Sequence, residues 1–200
     1  MIICQTERLR IRNWLESDRD LFAEINTDPK VMEFFPHRRN RVESDALFDR
    51  NTRDIAEMGF GFFALALRDS DTPVGFCGLA RTDLEPCLPD GTIEIGWRLA
   101  VSHWGKGYVT EAALALLEHG FSERKLSEIV SFAVATNARS VAVMKRIGMH
   151  RDPVRDFDHP RVPDTHAPLK RHLLYAIGAE EWRRGVGKLP PRPDTTPSAP

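Results

Sequence analysis

The sequence predicts an α+β protein, a three-layer α/β arrangement in which a central mixed, mostly antiparallel twisted sheet is flanked by helices. Three observations carry that class. GFFALALRD (61–69) and VGFCGLARTD (74–83) are strand-like runs joined by SDTP, a turn sequence, so they read as a hairpin. TIEIGWRLAV (92–101) alternates more regularly than any other stretch. It is followed by a helix starting near Gly107 and then by LSEIVSFAVA (126–135), an order that implies one βαβ crossover late in the chain.

The remaining elements follow in chain order. Residues 3–14 partly alternate, with Leu9 and Ile11 setting a face, and read as a first strand. Ser17 or Asp18 caps a helix carrying Leu21, Phe22 and Ile25, which Asp28-Pro29 ends. A second helix covers 42–58 and stops at Gly59. The turn-rich EPCLPDG separates the hairpin from 92–101. NARSVAVMKRIG (137–148) reads as a helix with Asn137 at its cap and Gly148 past its end. A strand near 149–157, a polar, proline-containing loop at 158–170 and HLLYAIG (172–178) finish the fold. Residues 1–188 form one domain in this reading. Residues 189–200, LPPRPDTTPSAP, are a proline-rich C-terminal tail that cannot contribute to a core.

Composition excludes several function classes. The chain has 200 residues, 42% of them hydrophobic and 28% charged, the balance of a globular domain. A formal net charge of −1 supplies no basic field for nucleic acid. No apolar run approaches the roughly 20 residues of a membrane span, and the N-terminus lacks the pattern of a signal peptide. Cys4, Cys77 and Cys87 form no CxxC pair, and the histidines show no metal spacing. The expectation is a cytoplasmic protein without a metal, a nucleic-acid partner or a membrane partner, as monomer or homodimer.

The most informative stretch is HWGKGYVTEAALALLEHGF (103–121). Two glycines, Gly105 and Gly107, flank Lys106 just before a helix, and Thr110 stands in its first turn. A helix N-terminus presents free N–H groups and a partial positive charge, and glycines let a ligand approach those amides closely. Together these residues form an anion cradle, most naturally for a pyrophosphate. The stretch is neither a P-loop, which needs GxxxxGK followed by Ser or Thr, nor a dinucleotide GxGxxG.

Residues 104–109, WGKGYV, match through Gly107 a pattern of the form Gln/Arg-x-x-Gly-x-Gly/Ala, with Trp104 and Val109 as departures. NARSVAVMKRIGM matches Asn-x-x-Ser followed by a hydrophobic helix and Gly-Phe, with Met149 in place of Phe. With the order strand, cradle, helix, strand, Asn-x-x-Ser helix, the chain over 5–178 resembles the GNAT superfamily of N-acetyltransferases, in particular its RimJ/RimL-like branch. The resemblance implies the GNAT acyl-CoA N-acyltransferase fold, acetyl-CoA as co-substrate and a primary amine as acceptor. It implies that the strands on either side of the cradle splay apart, so that the cofactor arm bonds the strand edge near Leu99, Ala100 and Val101. The pyrophosphate would then sit on amides of Trp104, Gly105, Lys106, Gly107, Tyr108, Val109 and Thr110. Asn137 would contact the cofactor arm. Many GNAT enzymes carry a tyrosine where this chain has Met144, so Ser140 is the candidate for assisting the departing sulfur.

Glu94 is the general-base candidate from the residues themselves. In TIEIGWRL, Ile93, Ile95, Trp97 and Leu99 share one face and Glu94, Gly96 and Arg98 the other. A carboxylate in mid-strand runs against β propensity and points to a pocket. Glu111 reads as a helix-start carboxylate favoured by the dipole. Phe34, Phe35, His37 and Trp97 are candidates for the acceptor pocket. A protein α-amine, a metabolite or polyamine, and an amine-bearing antibiotic all remain open as acceptor, and a non-catalytic acyl-CoA-binding module is the reading of a different class.

Overall fold

A computed structural model describes residues 1–185. The proline-rich stretch at 189–200 lies outside the described residues. The chain runs β1 (Ile2–Gln5), β2 (Leu9–Arg12), α1 (Arg19–Thr27), α2 (Arg41–Met58), β3 (Gly61–Leu67), β4 (Pro73–Arg81), β5 (Ile93–Leu99), α3 (Tyr108–Glu118), β6 (Glu128–Val134), α4 (Ala138–Arg146), β7 (His150–Arg151), β8 (Phe157–Asp158), β9 (Arg171–Gly178) and α5 (Ala179–Arg183). Among the described residues nine strands make one sheet in the order β1-β2-β3-β4-β5-β6-β9-β7, with β8 also on β9. Every pairing is antiparallel except β5 with β6.

Local chemistry explains the helix ends. Asn40 accepts the Glu43 amide at 3.0 Å while Glu43 takes the Asn40 amide at 2.8 Å, a reciprocal cap that starts α2. Gly59, at φ +68°, closes it. Asn137 caps α4 by accepting the Ser140 amide at 3.1 Å.

The two sheet faces have different covers. Phe22 of α1, Phe48 of α2, Trp14 and Phe76 of β4 pack edge to face on one side. The opposite face carries Leu79 and Ile129, which receive the π-helical turn His119–Glu123 that extends α3; a Cβ on Gly120 would stand 2.8 Å from Ile129. Ala112, Ala113, Leu116 and Leu117 of α3 are fully buried there.

Three sequence expectations need correction. The first strand is two short strands, because residues 6–8 turn where Thr6 bonds back to Leu9. The strand near 149–157 is two two-residue strands separated by a 3₁₀ turn with Pro153 at its start. The short helix α5 follows β9 where the sequence reading ended, and its Trp182 is buried.

Candidate functional site

β5 and β6 run parallel but pair only at Glu94 with Val130. Beyond that point Ser131 gives its hydroxyl to the Ile95 carbonyl at 2.9 Å, and the strands part. The gap opens into a cavity of about 1040 Å³, lined by the end of β5, residues 103–111, the first turns of α4 and the segment after α1.

The glycine stretch forms one end of this cavity. Gly105 and Gly107 sit at φ +74° and +79°, the left-handed region that side chains disfavour. Among the described residues, no group accepts a hydrogen bond from the main-chain N–H of residues 105–110. Such a row of free amides at a helix start fits a phosphate group. Cations surround it. Arg8 donates to the Lys106 carbonyl at 2.9 Å and stacks on Tyr108 at 4.9 Å, and Arg146 donates to the Thr110 hydroxyl at 3.2 Å. Both line the cavity with Lys106. Sequence reasoning missed both, because Arg8 reaches the cradle only through the β1–β2 turn and Arg146 only through the packing of α4 on α3.

Glu111 anchors that turn. It accepts from Thr6 at 2.6 Å, from the Arg8 amide at 2.9 Å and from the Arg8 side chain at 2.6 Å. Burial pushes its carboxyl up, but these hydrogen bonds and the Arg8 charge outweigh burial and hold it below the usual range. It therefore does more than favour the helix dipole: it ties the N-terminal hairpin to the cradle.

The strand edge is offered at a different residue from the one expected. The Leu99 carbonyl accepts from the Trp104 indole at 2.9 Å, the Ala100 amide is spent on Val74, and the Ala100 and Val101 carbonyls accept from His103 and Trp104. Ile95 and Leu99 both turn their carbonyls away from β4, so by strand alternation Trp97 between them turns its N–H and C=O the same way, into the gap. The open main-chain edge is at Trp97, which lines the cavity, rather than along Leu99, Ala100 and Val101.

Asn137 and Ser140 also line the cavity. The Asn137 side chain is committed to its cap bond. The Ser140 hydroxyl has no partner among the described residues and is not bonded back to its own helix. Met144 is fully buried in the core, which leaves no phenol at that position. His103 borders the cavity with a buried Nδ1 that has no partner, and burial together with Lys106 lowers its pKa. No sequence signal singled it out.

Glu94 does not line this cavity; it stands at the closed end of the gap, where the strands still pair. It keeps partial access to solvent and makes no hydrogen bond or ion pair to the described residues. Burial raises its carboxyl to about 7, Asp83 raises it further, and Arg98 and Arg161 pull it back. Arg98, on the same face of β5, does line the cavity. Phe34 lines the cavity and Phe35 covers Arg98 at 4.0 Å, whereas His37 is exposed and bonds Glu43 at 3.0 Å on the α2 cap. No group of three or more His, Cys, Asp or Glu side chains able to hold a metal ion occurs among the described residues, and none of their helices is long and apolar enough to cross a membrane.

Comparison with known proteins agrees with this geometry. A family model described as an acetyltransferase (GNAT) domain matches residues 8–150. An uncharacterized N-acetyltransferase, YnaD of Bacillus subtilis, is 33% identical over 178 residues, covering 88% of this chain and 97% of that protein. An FsC-acetyl coenzyme A-N(2)-transacetylase of Aspergillus fumigatus is 26% identical, over 90% of this chain and 77% of its own. The crystal structure of a GNAT-family acetyltransferase from Bacillus anthracis superposes with a TM-score of 0.74 at 28% identity, covering 90% of this chain and all of that one.

Proposed function

The chain belongs to the GNAT acetyltransferase family, and on that premise we propose that it moves an acetyl group directly from acetyl-CoA to a primary amine of lowered pKa, a protein N-terminus being favoured as in RimJ/RimL-like enzymes. One observation carries the reading: a continuous cavity joins the unpaired amides of 105–110 to the outward-turned main chain of Trp97 and the free hydroxyl of Ser140.

Acetyl-CoA supplies the acetyl group as a thioester, with a pyrophosphate that suits the cradle amides, Lys106, Arg8 and Arg146. Asn137 shapes the wall by holding the start of α4. The Trp97 N–H is placed to hydrogen-bond the acetyl oxygen as it gains charge. Glu94, through water, takes one proton from the acceptor ammonium. As the nitrogen bonds the acetyl carbon and the C–S bond breaks, the second proton passes to the sulfur, which the Ser140 hydroxyl steadies. Glu94 then returns its proton to solvent. A carboxyl near 7 is half-ionised at neutral pH and so can both take and release that proton.

The amine preference follows from proton affinity. An α-amine has a reference pKa of about 7.7–8.0 against about 10.4 for lysine, so far more of it is neutral at pH 7. A single carboxylate acting through water suits the easier amine. The test compares short peptides with a free N-terminus against peptides blocked there but containing lysine, following thiol release. Faster transfer to the free N-termini is expected. Equal or faster transfer to lysine overturns the preference, and activity on a polyamine or aminoglycoside alone moves the protein to a small-molecule role.

A further inference from the structure

Arg98 is a cation held inside the cavity without a counter-ion. Its guanidinium lies over Phe35 at 4.0 Å and within 5.5 Å of Phe76. Its recorded hydrogen bond goes to a neutral acceptor, Asn26 Oδ1, at 2.8 Å. Asn26 is fully buried, and its amide nitrogen is fixed by the Phe22 carbonyl at 2.7 Å and the Ser44 hydroxyl at 3.2 Å. The oxygen that grips Arg98 therefore cannot swing away, and the guanidinium is held rigid. The Arg39 amide bonds the Asn26 carbonyl at 3.1 Å, which brings a second arginine alongside. Burial first, and then Arg39, lower the Arg98 pKa to about 9, with Glu94 opposing them.

No carboxylate pairs with Arg98 or Arg39 among the described residues. The acidic residues that line the cavity are Glu7 and Glu111, and Glu111 is committed to Arg8 at the cradle end. A guanidinium has five N–H donors in a planar fork that suits a carboxylate, and a charge removed from water is costly when unpaired. Arg98 also projects toward the α1–α2 side of the sheet, opposite the face that α3 covers, so it does not belong to the phosphate cradle.

We propose that Arg98, backed by Arg39, is a specificity site for a carboxylate carried by the acceptor close to its reacting amine. This rests on the amine-acetyltransferase reading above and narrows its substrate class. The carboxylate can be the α-carboxylate of a free amino acid or an acidic side chain next to a peptide N-terminus; the recognition chemistry is the same. A fixed cation beside the amine also favours the neutral, nucleophilic form of that amine.

The experiment measures kcat/KM with saturating acetyl-CoA for methionine, phenylalanine, serine and glutamate against their carboxamides, and for Ser-Asp-Gly against Ser-Asn-Gly, each peptide C-terminally amidated. The wild type should prefer the carboxylate member of at least one series by roughly tenfold or more, as expected for a charge-assisted pair. The series that shows the preference identifies the source. In Arg98→Gln the ratio should collapse toward one through KM, and Arg98→Lys should keep part of it. The acetyl-CoA-induced rise in Tm should persist in both variants. Transfer without carboxylate discrimination in the wild type overturns this inference alone, and does so even if the variants fail to fold. Weakened acetyl-CoA binding in folded Arg98→Gln, with the ratio retained, assigns the arginine to the cofactor and also overturns it. Failure to acetylate any α-amine sinks the underlying reading and this inference together.

Discussion

The two ends of the cleft treat charge in opposite ways. At the α3 end the ions are spent on one another: Arg8 on Glu111 and Arg146 on Thr110, with Glu111 also taking Thr6. What is left unsatisfied there is a row of neutral amides. At the β5 end the ions themselves stand unpaired: Glu94 has no hydrogen-bond partner among the described residues, and Arg98 has a neutral one. The first arrangement holds a backbone shape ready for an anion at little cost in stability. The second leaves two charges in poorly solvated positions, which is unfavourable for folding and useful for moving a proton or reading a charge. A cleft of this kind separates holding a ligand from reacting with it.

The largest expected break falls at the β5 end. Glu94→Gln keeps shape and loses basicity, and general-base assistance is worth roughly 10²–10⁴-fold. Steady-state kinetics should show kcat down by at least about tenfold, and the acetyl-CoA Kd should stay close to wild type. In the wild type, activity should rise with pH through about 7 as Glu94 ionises, and the variant should lose that limb. Full activity of Glu94→Gln at neutral pH would remove it from the chemistry.

The cradle end should respond in the opposite sense. Gly107→Val places a branched side chain at φ +79° with its Cβ 3.5 Å from the Arg8 guanidinium, over the free amides. Acetyl-CoA binding to the folded state raises Tm. That shift should largely disappear, with Kd weaker by roughly tenfold or more, since the amides and the aligned dipole both lose access to phosphate. An unchanged shift in a variant whose circular dichroism remains native excludes the cradle as the phosphate site.

A smaller effect tests the hydroxyl between the two ends. Ser140→Ala removes a donor that the fold leaves free, and hydrogen bonds to charged groups are worth about 1.5–3 kcal/mol. We expect kcat to fall about tenfold while acetyl-CoA affinity is nearly retained. A change confined to affinity would give Ser140 to the binding end instead.

The smallest effect concerns stability. The folded-state pKa of Glu94, about 7, lies above its ordinary value of 4.5, so the fold favours the protonated acid. That contribution is full below about 4.5 and is lost as pH rises through about 7. Because water reaches Glu94, the cost of ionising it is taken as about 1–2 kcal/mol. Glu94→Gln should therefore gain about that much on wild type between pH 5 and pH 8 in urea unfolding. A gain that is the same at both pH values shows that Glu94 is not strained by ionisation.

Much of the molecule was legible because its signals are local. Two glycines around Lys106 before an Ala- and Leu-rich run specify a helix with an exposed start, and Asn137 followed by Ser140 specifies the cap of α4, whatever surrounds them. The alternation of TIEIGWRL separated Glu94, Gly96 and Arg98 from Trp97 in advance. Burial, pairing and partnership were beyond its reach, since they depend on residues far apart in the chain. Only the packed structure decided that the open edge is at Trp97, because the Trp104 indole and Val74 take the groups at Leu99 and Ala100. Only it brought Arg8 to Lys106, 98 positions away, and fixed Arg98 on Asn26, 72 positions away. A sequence fixes which way a side chain points along its own element; which charges meet, and which are left without a partner, is settled when the elements pack.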